Sequence, residues 1–165
     1  MGADNPQERL DSLWITGFTD GEGCFHISIN KMPKMTLGWQ VLPEFRIVQH
    51  EKDEELLYKI KNYFGFGNVK QNRKDHTSIR KEFRVRGLKN LRKLILFFKK
   101  NPLRTTKKKN FEIFSKIIKM MENREHLTKK GMDKIANLVS TMNRKPKPKY
   151  LESSETTRQK FSNEN

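Results

Sequence analysis

Asp20 and Glu22 stand two residues apart in the run Leu13-Trp14-Ile15-Thr16-Gly17-Phe18-Thr19-Asp20-Gly21-Glu22-Gly23. Leu10, Leu13, Trp14, Gly17 and Phe18 recur at helical spacing, which predicts a helix with one apolar face ending near Gly21. The two acids then fall at its C-terminal end, where the macrodipole disfavours negative charge. Carboxylates placed against the local field call for a counter-cation. Hard oxygen donors in small number suit Mg²⁺, with Glu22 as the side-chain ligand and the Gly21 carbonyl as a second donor. Asp20 is either a further ligand or a residue that caps or orients the turn. Gly17 and Gly21 lie four apart, each costing roughly 1 kcal/mol against alanine in a helix interior. Close approach to another helix, with Leu13 and Trp14 beside the glycines, gives that cost a purpose.

Two further places carry chemistry. Thr105-Thr106-Lys107-Lys108-Lys109 opens a predicted helix, where cations oppose the dipole unless an anion is shared. A phosphate is that anion, since helix N-termini bind phosphates. Gln49 shares strand parity with Phe45 and Ile47, on the side meant for the core, where an amide needs a partner. A metal-held acid beside phosphate-binding lysines suits hydrolysis of a phosphodiester, which needs activated water and charge stabilisation at phosphorus.

The elements that position these groups follow from periodicity. Asn5-Pro6-Gln7-Glu8 reads as a capping box opening the first helix. Residues 24–30 alternate, with Phe25, Ile27 and Ile29 inward and His26, Ser28 and Asn30 outward. After a loop at 31–38, residues 40–49 form a second strand with Gln40, Leu42, Glu44 and Arg46 outward. A helix at 51–64 buries Leu56, Leu57, Ile60 and Phe64, and Gly65 stops it. Strands at 68–72 and 78–86 flank the turn Arg73–His76, with Phe83 and Val85 inward and Glu82, Arg84 and Arg86 outward. A third helix, 88–99, buries Leu91, Leu94, Ile95 and Phe98. The order αββαββα predicts an α+β fold: one four-stranded, mostly antiparallel sheet with helices on one face. Helices at 107–123 (Phe111, Phe114, Ile118, Met121) and 128–143 (Ile135, Leu138, Val139, Met142) follow as an antiparallel pair, with Thr128 as N-cap.

The free sheet face reads as polar and basic. His26, Ser28, Asn30, Gln40, Arg46, Lys70, Asn72, Arg84 and Arg86 share it, and Lys108 and Lys109 add phosphate contacts. Arginine suits guanine and asparagine or glutamine suits adenine, in a groove that a β-ribbon can enter. Composition agrees: 35 Lys+Arg against 19 Asp+Glu give a net charge of +16 over 165 residues. Residues 1–60 are net −4 and residues 61–165 net +20, an acidic front on a basic remainder. A polyanionic partner follows, bound mainly through phosphates. The lone Cys24 excludes an internal disulfide and a cysteine-based zinc site, and the four histidines lack ligand spacing. No apolar run is long enough for a membrane span, and no secretory signal is evident. Length predicts a single domain over 1–145. Residues 146–165 follow as a Lys-Pro linker and a polar, disordered tail.

The run Ile15–Gly23 resembles the signature helix of the LAGLIDADG homing endonucleases, with Thr16 for the usual alanine and Glu22 where aspartate is commoner. Pro43-Glu44-Phe45 through Gln49, Pro102–Lys109 and Arg124–Thr128 with Gly131 look like the same family, so the resemblance spans roughly residues 10–145. It implies a Mg²⁺-dependent endonuclease acting on double-stranded DNA at a long, near-palindromic site and leaving 3′ overhangs. Glu22, Gln49 and Lys107 would be its catalytic residues, Gln49 orienting the water or metal shell and Lys107 standing near the scissile phosphate. Lys108 or Lys109 takes that place if the register slips. A single motif implies a homodimer joined through Leu13, Trp14, Gly17 and Gly21. An RNA maturase acting on intron RNA, or a non-cleaving DNA-binding relative, is the alternative. The compartment implied is intracellular: a chloroplast, a mitochondrion, or a prokaryotic or archaeal cytoplasm.

Overall fold

The computed structural model describes residues 9–143 and 146–153. The capping box at Asn5–Glu8 and the tail from 154 onward lie outside the described residues, as does Lys145. Within them the first helix, α1 (Ser12–Glu22), begins later than its apolar repeat suggests. Asp11 is the N-cap and accepts from the Trp14 N–H at 2.7 Å, leaving Leu10 ahead of the helix. Capping decides the boundary here: an Asx cap satisfies one of the orphan donors, which a leucine cannot.

The chain continues as β1 (Gly23–Lys31), β2 (Trp39–His50), a 3-10 turn (Glu51–Asp53) and α2 (Glu54–Phe64). Then come β3 (Asn68–Lys74), β4 (Ile79–Val85), α3 (Leu88–Lys100), α4 (Lys107–Glu122) and α5 (Lys129–Ser140). The strands form one four-stranded sheet in the order β1-β2-β4-β3. Strand β4 pairs antiparallel with β2, placing Phe45 opposite Val85 and Ile47 opposite Phe83. It also pairs antiparallel with β3, where the register shifts between Gln71 and Arg73. The expected α+β architecture is therefore the observed one.

Packing divides into two units. The first comprises residues up to Phe25 together with Glu44–Lys108; the second comprises His26–Pro43 and Lys109 onward. The first is built on aromatic rings. Phe25 lies 5.0 Å from Phe45 and edge-on to Phe98 at 5.7 Å, and Leu57, Ile60, Leu91 and Leu94 of the same unit are fully buried. Such ring pairs contribute about 0.5–1.5 kcal/mol beyond their buried area. Leu56 and Phe64 are only half-buried. Phe64 instead joins a string of rings, stacking on Phe83 and meeting Tyr63, Phe66 and Phe97. Gly65 ends α2 with φ +74°, a conformation open to glycine.

In the second unit Phe111, Phe114, Ile117 and Ile118 of α4 and Met132, Ile135, Ala136 and Val139 of α5 are buried. Leu138 is half-exposed and Met132 and Ala136 take the core positions, a small rotation of the predicted stripe; Ile29 is likewise only half-buried. Residues 149–153 are helical, with Tyr150 and Leu151 buried. Tyr150 sits edge-on to Trp39 at 5.5 Å and donates its hydroxyl to Asp133 at 2.6 Å. Thr128 caps α5 by accepting from the Gly131 N–H at 3.0 Å. A Cβ at Gly131 would collide with the Glu125 carbonyl, so only glycine lets the preceding turn close over the helix start. Gly131→Ala is expected to cost about 1–3 kcal/mol as an overpacking change, read as a lowered urea midpoint at unchanged slope. Among the described residues no helix is long and apolar enough to cross a membrane.

Candidate active site and nucleic-acid face

The passage from α1 into β1 is tight because residue 23 has no side chain. A Cβ there would stand 2.6 Å from Thr19 Cγ2 and 3.2 Å from the Phe45 ring, and the Gly23 N–H closes on the Thr19 carbonyl. Glu22, the last residue of α1, is exposed. Gln49 Nε2 donates to Glu22 Oε2 at 3.3 Å, so the amide near the end of β2 is half-exposed and turned to the acid rather than sealed in the core.

Both oxygens of Asp20 are engaged 84 and 85 residues along the chain. Oδ2 accepts from the Arg104 N–H at 2.8 Å, and Oδ1 accepts from the Thr105 N–H at 3.2 Å and its hydroxyl at 2.7 Å. Burial alone would raise the Asp20 carboxyl. The hydrogen bonds from Arg104 and Thr105, aided by the Lys107 charge, hold it below its ordinary value. Of the two roles open to Asp20 in the sequence, this geometry is that of an orienting residue, and the turn it orients is the one ahead of α4. The Thr105 hydroxyl in turn accepts from the Lys107 N–H at 3.2 Å.

That chain of bonds delivers Lys107 to the end of α1. Its Nζ donates to the Thr19 carbonyl at 2.8 Å, a cation at the C-terminal end of a helix dipole. Burial lowers the Lys107 amine below its ordinary value, although Cys24, Asp20 and Glu22 pull the other way. Lys108 and Lys109 are exposed, so of the three lysines only Lys107 is half-buried and directed to this corner. Thr19 and Thr105 escaped the sequence reading. Thr19 is fully buried and its Oγ1 has no partner among the described residues. The structure thus brings Glu22, Gln49 and Lys107 around one helix terminus. Among the described residues no group of three or more His, Cys, Asp or Glu forms a ready metal cage. Exposed Glu22 with the adjacent Gly21 carbonyl fits a hard cation whose shell is completed from outside the chain.

Helix α1 has two faces. Ile15, Thr16 and Thr19 are buried within the chain, and Thr16 Oγ1 donates back to the Ser12 carbonyl at 2.7 Å. Leu13 is 76% exposed and Trp14 39%, the latter stacked on Phe18 at 4.7 Å. A Cβ at Gly17 or Gly21 would meet nothing within 4 Å, so this chain's own packing does not require either glycine.

The sheet residues of the first unit differ from their sequence reading in one respect. Arg46, Lys70, Asn72, Arg84 and Arg86 do not stand alone but converge on Glu44 and Glu82, 5% and 0% exposed despite outward parity. Arg86 Nε donates to Glu44 Oε2 at 2.8 Å, and its Nη2 lies 2.7 Å from the same oxygen. Arg46 Nη1 is 3.5 Å from Glu44 Oε1 and Arg84 Nε 3.7 Å from Oε2. Glu82 takes Arg84 Nη2 at 2.6 Å, Asn72 Nδ2 at 2.6 Å and Lys70 Nζ at 3.8 Å. Burial would raise the Glu44 carboxyl, but the Arg86 hydrogen bond and the charges of Arg84, Arg86 and Arg46 hold it low. In the second unit His26, Ser28 and Gln40 are half-exposed and Asn30 exposed, with Asn30 Nδ2 donating to Ser28 Oγ at 3.3 Å.

A helix that ends in an acid–amide–lysine corner runs into an antiparallel sheet with an arginine- and amide-bearing face, an α+β scaffold. The family model described as LAGLIDADG endonuclease matches residues 15–118, and the chain belongs to that family. Its fold is that of solved LAGLIDADG homing endonucleases. The structure of a homing endonuclease, I-TnaI, is similar with a TM-score of 0.82 and 42% identity, over 89% of this chain and 97% of that one. The LAGLIDADG meganuclease I-CpaMI, bound to uncleaved DNA, gives a TM-score of 0.82 at 31% identity, over 91% of this chain and 50% of that chain. Probable intron-encoded endonuclease 2 of Neurospora crassa is 36% identical over 135 residues, 81% of this chain and 29% of its own length. An uncharacterised 50.9 kDa protein in ND4 intron 1 of Podospora anserina is 35% identical over 127 residues. The chain spans under a third of the length of these two curated relatives.

Proposed function

We propose that the chain is one half of a site-specific endonuclease that hydrolyses double-stranded DNA with Mg²⁺, each half serving one strand. The observation that carries this is the convergence of Glu22, Gln49 and Lys107 on the end of α1, with Asp20 and Thr105 spent on placing the lysine. Glu22 and the Gly21 carbonyl would hold the ion, which supplies Lewis-acid stabilisation and a more acidic water when bound. Gln49 holds the Glu22 carboxylate in one orientation. Lys107 presents positive charge to the phosphate oxygens as they gain charge. Cleavage at a long, near-palindromic target with 3′ overhangs goes with two such halves facing each other, and I-CpaMI, matched over half its length, supports the half-site reading. Arg46, Lys70, Asn72, Arg84 and Arg86 would read or track DNA from the first unit, and His26, Ser28, Asn30 and Gln40 from the second. Lys108 and Lys109 would track phosphates. Relatives named as intron-encoded support action in an organelle.

Incubation with a randomised duplex library, with Mg²⁺ and then with EDTA, tests this. Enrichment of one cut site that vanishes with the chelator is expected. Tight binding of intron RNA with no cut duplex would replace the endonuclease reading with an RNA one. The facing-helix assembly has its own test in Gly17→Ala. The site is open in the single chain, and alanine favours helix by roughly 1 kcal/mol, so melting temperature should rise or hold. If a second α1 packs against this face, sedimentation on DNA should show weakened dimerisation and cleavage should fall with it. Unchanged sedimentation would sink the facing-helix model.

A further inference from the structure

We infer that Glu44 and Glu82 are specificity-determining positioning residues, whose carboxylates set the side chains of Arg84, Arg86 and Asn72 so that base edges meet one pre-organised grid. This rests on the sheet face being the DNA-reading surface. Cross-strand register makes the need plain: Arg46 stands directly opposite Arg84 on β2 and β4, a like-charge pair that disfavours the sheet unless acids divide it. Charge neutralisation alone does not call for buried acids. Exposed ones would balance the arginines without the cost of desolvation, and Val48, directly opposite Glu82, shows that this row accepts an apolar side chain. What burial adds is geometry.

Each carboxylate chooses which end of its partner faces outward. Asn72 gives Nδ2 to Glu82 at 2.6 Å, which fixes the amide orientation and leaves Oδ1 as the acceptor not engaged by the acid. Arg86 gives Nε and Nη2 to Glu44, at 2.8 and 2.7 Å, which leaves Nη1 to meet a base or phosphate. Arg84 is placed by charge: its Nη2 pairs with Glu82 Oε1 at 2.6 Å and its Nε lies 3.7 Å from Glu44, so the guanidinium sits between both acids, with Nε and Oε1 making no hydrogen bond among the described residues. A long cationic side chain fixed before encounter does not lose that rotamer freedom on binding, so the wrong base cannot be accommodated by swinging the arginine away.

The test is a cleavage profile over every single-base-pair variant of the target, for wild type, Arg84→Ala, Arg86→Ala, Glu82→Gln, Glu44→Gln and Asn72→Ala. Arg84→Ala identifies the base pairs that Arg84 reads. At those positions Glu82→Gln should lose preference by about tenfold or more, the scale of one bidentate base contact, while binding of non-target duplex holds or strengthens. Asn72→Ala, at a half-buried site, should relax its own base pair and, by freeing Glu82, also the positions that Arg84 reads; relaxation at the Arg84 positions keeps the inference testable if Glu82→Gln fails to fold. Glu44→Gln should relax the positions lost in Arg86→Ala. If Arg84→Ala changes the profile but Glu82→Gln and Asn72→Ala only weaken cleavage uniformly, the acids merely hold the sheet and the inference falls alone. If Arg84→Ala and Arg86→Ala leave every preference intact in an enzyme that cuts, the reading face itself is wrong.

Discussion

Glu22→Gln is expected to abolish strand cleavage, by on the order of a thousandfold or more, with fold and DNA binding retained. The side chain is exposed at the end of α1, and Gln49 holds it through a single 3.3 Å hydrogen bond, so an isosteric amide disturbs no packing. Removing a negative charge from the place proposed to meet phosphate should tighten DNA binding or leave it unchanged. What disappears is the anionic oxygen proposed to hold the ion, and a neutral amide holds Mg²⁺ poorly. Glu22→Asp, one methylene shorter, should retain measurable cleavage because the donor chemistry survives. Gln49→Leu should be milder, about 10- to 100-fold, as for loss of a group that orients a ligand. Single-turnover cleavage beside a gel shift separates these outcomes. Wild-type cleavage by Glu22→Gln would remove Glu22 from the chemistry.

The contrast between Glu22 and Asp20 shows what one strand of letters carries. Both acids were legible as anomalies, because helix polarity is a local property. The sequence already ranks Glu22 above Asp20 as a ligand; what it does not carry is Asp20's partners, Arg104 and Thr105, which lie more than 80 residues away. The strands at 24–30 and 40–49 and the stop at Gly65 were likewise legible, being set by alternation and by the φ that glycine tolerates. The buried Glu44 and Glu82 were not. Parity put them outward, and outward normally means solvated; their burial comes from the register of β4 against β2 and β3, a long-range fact. The start of α1 moved for the opposite reason. The apolar repeat extends back to Leu10, but a cap at Asp11 is a hydrogen bond, and periodicity does not count hydrogen bonds.

Lys107→Met should separate stability from activity: melting temperature holds or rises, while cleavage falls by about 10²- to 10³-fold, the scale of one lost transition-state donor. Burial holds the Lys107 amine below its ordinary value, so the charged form is carried at a cost to the fold. That cost is present in full at neutral pH. It fades as pH rises through the depressed pKa toward the ordinary lysine range, so the methionine variant's advantage should shrink there. A methionine keeps the unbranched stem against its neighbours and removes only the charge. Lys107→Arg should not rescue cleavage, because a planar fork cannot reproduce a point charge 2.8 Å from the Thr19 carbonyl. Lys108→Ala and Lys109→Ala, both exposed, should instead weaken binding evenly across sequences, each lowering the salt slope by about one. Asp20→Asn acts between these cases. It keeps the bonds to Thr105 but turns an amide donor toward the Arg104 N–H, so Lys107 loses its placement and not its charge. Cleavage should then fall less than in Lys107→Met, and adding Asp20→Asn to Lys107→Met should cost little more. If the two losses multiply instead, Asp20 acts on the chemistry by a route that does not pass through Lys107.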